Sequence, residues 1–116
     1  MSISLTATRH PKGLPDLSIP IAGQEFFRRH WLPPARELGL SLILQFESPG
    51  LPVIDDQVPT TTERELIDQE LRRLLDWVEA AGLGVEVAAH MSSRIAALMA
   101  ALREAPEAGY MRVFIG

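Results

Sequence analysis

The stretch LSLILQFE, residues 40–47, decides how this fold is read. Leu40, Leu42, Leu44 and Phe46 alternate with Ser41, Gln45 and Glu47, and Ile43 alone breaks the period of two. A half-buried strand has that period, because successive side chains leave the pleated backbone on opposite faces. The centre of the chain therefore reads as a strand, and the flanking segments are placed around it.

On the N-terminal side, GQEFFRRHW (residues 23–31) has the residue types of a short helix. Pro33 and Pro34 are expected to stop it, since proline lacks the amide hydrogen and restricts the residue before it. A further helical turn can follow through Leu38. Arg28, Arg29 and His30 form a basic run interleaved with Phe26, Phe27 and Trp31, read as a basic helix face with its aromatics turned inward. Earlier still, RHPKGLPDLSIPIAG (residues 9–23) reads as a loop because of its prolines and glycines. Ile3, Leu5 and Ala7 alternate with Ser4, Thr6 and Thr8 as a first strand.

On the C-terminal side, SPGLPVIDDQVPTT (residues 48–61) reads as a second long loop, of a length that usually signals function or mobility. Thr62 and Glu65 have capping-box spacing, and Ile67, Leu71, Leu74 and Val78 then recur at helical spacing until the GLG of residues 82–84. Val85, Val87 and Ala89 alternate as a third strand, followed by a helix capped at Ser92 or Ser93 with Ile95, Leu98, Met99 and Leu102 on its buried face. YMRVFI (residues 110–115) is a terminal strand.

Alternation of strands and helices favours right-handed crossovers. The expected architecture is one globular domain over residues 1–116, of α/β (or α+β) class. It has two layers, with about four strands covered on one face by two to three helices. The 116 residues, 47% hydrophobic and 22% charged, suit a single core.

The absence of cysteine excludes disulfides, thiolate metal sites and cysteine nucleophiles. Eleven basic against fifteen acidic residues give a net charge of −4, which argues against a nucleic-acid partner. No apolar run approaches the roughly 20 residues of a membrane span, so no membrane partner is expected. The first ten residues lack the pattern of a secretory signal, which makes a cytoplasmic location the default. No nucleophile-elbow, phosphate-loop, dinucleotide or zinc-protease pattern occurs, and no metal or cofactor is implied.

Two constellations remain. If the first three strands are parallel, His10, Asp55, Asp56 and His90 all emerge at the carboxyl edge of the sheet, where α/β folds place ligands. That grouping could serve acid/base or metal-assisted catalysis. The other is charge: residues 63–86 carry seven acids against Arg64, Arg72 and Arg73, which equals the whole net charge. Opposite the apolar stripe of this helix lie Glu65, Gln69, Arg72, Asp76 and Glu79, with Asp68 four residues before Arg72. Trp77 and Leu66 fall on the rim, where Trp77 either anchors a partner or folds down onto the domain.

Three functions follow. The first is a small acidic protein-binding module, such as an immunity protein or antitoxin neutralising a basic toxin domain, or an effector chaperone. Its contact residues would be Glu65, Asp68, Arg72, Asp76, Trp77 and Glu79. The second is a small enzyme using His10, His90 and Asp55 or Asp56. The third is a structural subunit forming a homodimer through YMRVFI at a sheet edge.

Overall fold

The computed structural model describes residues 2–9, 17–47, 51–54, 61–104 and 110–116. Among these, helical residues outnumber strand residues by more than two to one. The expected α/β layer of four strands joined by crossovers is overturned, because two of its strands are helical and every strand pairing is antiparallel.

Strand β1 (Ser2–Arg9) pairs with β2 (Leu17–Gly23). β2 falls in the segment read as a loop. Its outward Ser18 and Pro20 alternate with half-buried Ile19 and buried Ile21, so it is a strand by period despite its proline. The sheet order β2-β1-β4-β3 puts β2 at an edge, where the missing amide hydrogen of Pro20 costs least, and the register shifts beside its partner Ser4.

β3 (Leu51–Ile54) is four residues long, contains Pro52 and forms the opposite edge. It lies in the second expected loop. β4 (Tyr110–Ile115) sits between β1 and β3, with Leu5 opposite Ile115, and Ser4 and Gly116 exchange a pair of backbone hydrogen bonds of 3.1 and 3.0 Å. The terminal strand is thus interior to the sheet, and the edge on which the homodimer expectation rested does not exist.

The helical part begins with α1 (Gln24–Phe26), continues as a π turn over Phe27–Trp31 and ends as α2 (Leu32–Leu38). The prolines do not stop this segment. The chain widens before them, Leu32 donating its N–H to the Phe27 carbonyl five residues back, and Pro33 and Pro34 fall in the first turn of α2, where amide donors are least needed. The widened turn places Phe27 and Trp31 on one side. Both are fully buried, and Phe27 stacks on Trp31 at 5.7 Å and on Phe46 at 6.3 Å between ring centroids.

Gly39 ends α2 in the left-handed conformation at φ 69°, donating to the Ala35 and Arg36 carbonyls. Residues 40–46, expected as the central strand, are instead a compact turn with a 3-10 stretch at Ile43–Gln45. Leu40, Ile43 and Phe46 are all fully buried, a spacing of three that matches the turn's own period, whereas Leu42 and Leu44 are half-buried.

Helices α3 (Thr61–Ala80) and α4 (Val85–Glu104) are each 20 residues long and pack together; α3 also touches α2 and β3, and α4 touches β2. Ile67, Leu71, Leu74 and Val78 are buried as their spacing predicts. Gly82, at φ 67°, turns the chain between the helices. The expected third strand is the start of α4, whose buried face is Met91, Ile95, Leu98 and Leu102. Val85 and Ala89 sit one turn apart on its exposed side. By length and composition Val85–Arg103 is apolar enough to cross a membrane, contrary to the expectation from the sequence; Val87, Met91, Ile95, Leu98, Met99 and Leu102 join the core, whereas Val85 stays exposed.

Candidate protein-binding surface

Helix α3 is held in place by polar contacts as well as by its apolar stripe. The Glu70 carboxylate accepts the backbone N–H of Leu42, at 3.0 and 3.2 Å from its two oxygens, and that of Ile43 at 3.1 Å. It therefore satisfies the open amides at the start of the 3-10 turn, where a negative charge is favoured. Arg73 donates to the Leu38 carbonyl at 2.8 Å, at the last turn of α2. One helix thus holds the link between α2 and the 3-10 turn from both ends. Glu70 belongs to the fold and not to the acidic surface.

The exposed side of α3 carries Glu65, Leu66, Gln69, Arg72, Arg73, Asp76 and Glu79. Arg72 donates to Asp68 at 2.9 Å, so these two largely cancel. Glu65, Asp76 and Glu79 make no ion pair among the described residues. At 100° per residue they fall within one sector, with Leu66 and Trp77 together on its flank, three turns or about 16 Å apart. Leu66 is 44% exposed, one of two large apolar side chains on the described surface. Trp77 is half-buried and packs against the core, which favours its structural role while leaving part of the ring at the surface.

The basic run of the first helical segment is neutralised locally. Arg28 pairs with Glu47, which also accepts from Gln24 Nε2 at 3.1 Å, and Arg29 pairs with Glu25 at 3.1 Å. The Arg28 guanidinium holds the Glu47 carboxyl below its usual range.

The His and Asp grouping loses its geometric premise, since the strands are not parallel. His10, Asp55 and Asp56 lie outside the described residues. His90 sits on α4 with its ring 4.4 Å from that of Phe26. Burial and, secondarily, the charge of Arg94 push its pKa down. Among the described residues no group of three or more histidine, aspartate or glutamate side chains could hold a metal ion. Ser92 and Ser93, expected to cap a helix, lie inside α4.

Compared with known protein families, curated proteins and solved structures, the chain matches none.

Proposed function

We propose that this chain is a small protein-binding module that engages a basic protein partner through the exposed side of α3, as an inhibitor of the immunity-protein or antitoxin kind, or an effector chaperone, would do. The observation that carries this reading is the set of three carboxylates, Glu65, Asp76 and Glu79, that make no ion pair among the described residues and share one face of a helix fixed at Glu70 and Arg73. A rigid element presents its charges without an ordering cost on binding, and such charges steer a basic partner, raising the association rate more than the final affinity. Leu66 and the exposed part of Trp77 supply apolar contact beside the charges.

The test is capture of a partner at low salt with release by rising salt, followed by binding kinetics of the purified pair. Reversing charge at Asp76 and Glu79 together (D76K/E79K) is expected to slow association about tenfold and flatten its salt dependence. Unchanged kinetics would remove α3 from the interface.

A further inference from the structure

Apart from the exposed side of α3, three rings stack where the first helical segment meets α4. Phe26 lies between two imidazoles, His30 at 4.6 Å and His90 at 4.4 Å between centroids, each tilted by 51°. His30 is one helical turn after Phe26, whereas His90 comes from the second turn of α4, so the stack joins two separate elements. All three side chains are half-buried. The Nδ1 atom of His90 is buried with no hydrogen-bond partner among the described residues.

We propose that His90 is the acid-sensitive member of a clasp, His30–Phe26–His90, that fastens the first two turns of α4 to the helical segment of residues 24–38. A neutral imidazole can leave a bare Nδ1 against an apolar ring at modest cost. An imidazolium cannot, because its Nδ1–H needs an acceptor and the described residues offer none. The face of Phe26 offers a cation only weak compensation.

The surrounding charges do not rescue the protonated form. Arg94, one turn further along α4, repels it. Glu86, one turn earlier, is exposed and makes no ion pair with His90 among the described residues. From the first segment, Glu25 is engaged by Arg29, and His30 across Phe26 can only add positive charge. β2, which touches α4, has no titratable side chain, and α3 contributes Ile67, Leu71, Leu74 and Val78 to the shared core. The folded-state pKa of His90 is below the ordinary value, so the clasp is closed above about pH 6.5 and weakens as pH falls through that value toward the lowered one.

The experiment is amide hydrogen exchange, compared as protection factors at pH 7.5 and pH 5.0. Residues 86–92 are expected to lose protection at pH 5.0 relative to pH 7.5, while residues 71–78 of α3 keep theirs. The loss should vanish in His90→Phe, which keeps the ring stack without the titrating nitrogen, and His90→Gln provides a second non-titrating variant should the first not fold. Equal protection of residues 86–92 at the two pH values, or the same acid loss in the non-titrating variant, would overturn the proposal.

Discussion

Glu70 and Ile43 lie 27 residues apart in sequence, and the carboxylate of the first accepts the backbone N–H of the second at 3.1 Å. With Leu42 held by the same group, this one side chain does for the 3-10 turn what a local capping residue does for a helix. Its removal leaves two part-buried amides without their acceptor. Glu70→Ala is expected to destabilise the protein by about 1–2 kcal/mol, read from the urea midpoint. Glu70→Gln, which keeps a neutral acceptor, should lose a smaller amount, because charge-assisted bonds are the stronger kind.

Gly39 tests the backbone alone. A Cβ there would meet nothing within 4 Å, so the cost of Gly39→Ala comes from its φ of 69° and not from a clash. About 1–2 kcal/mol is expected in equilibrium unfolding. Gly82→Ala, with φ 67° and the same open space, should behave alike.

Glu47 supplies a pH dependence of opposite chemical origin to that of His90. Its folded-state pKa is lowered, first by the hydrogen bond from Arg28, so its stabilisation is present above the unfolded carboxylate value near 4.5 and is lost as pH falls through the folded value. The thermal midpoint of Glu47→Gln should therefore vary less with pH below 4.5 than that of the parent protein. Raised salt should narrow the difference between them at neutral pH, because Arg28 is largely exposed.

Trp31 presents two opposing effects. It is fully buried, yet its Nε1–H has no hydrogen-bond partner among the described residues. Trp31→Phe removes the unsatisfied donor, a gain of about 1–3 kcal/mol, and leaves a void of similar cost. The net change in urea stability is expected to stay within about 1.5 kcal/mol of zero. Phe46→Ala, which only empties space against Phe27, should cost about 3–5 kcal/mol.

The two long helices differ in how openly their residues announce them. In α3 the stripe Ile67, Leu71, Leu74 and Val78 is regular, and all four side chains are buried. In α4 the β-branched Val85 and Val87 mimic a strand, and the helix begins there because Met91 onward packs against the core, a tertiary contact that outweighs local preference. Residues 40–46 mislead for a different reason. Five apolar side chains in seven positions satisfy a period of two and a period of three at once, and the choice between them rests on Glu70, far along the chain, which no local pattern reveals. β2 shows its alternation plainly, but Pro20 masks it until the strand is known to lie at an edge. Of the candidate surface, the outward positions of Glu65, Arg72, Asp76 and Glu79 follow from helical geometry alone. The withdrawal of Glu70 from that surface does not.

The place of β4 inside the sheet has a consequence for synthesis. Leu5 finds its partner Ile115 about 110 residues later, which at roughly 5–20 residues per second is a delay of about 5–20 s on the ribosome. During that interval β1 can pair with β2 but keeps its other edge open. A nascent chain stalled before residue 110 would thus hold β1 with one of its two edges open to pairing with another chain.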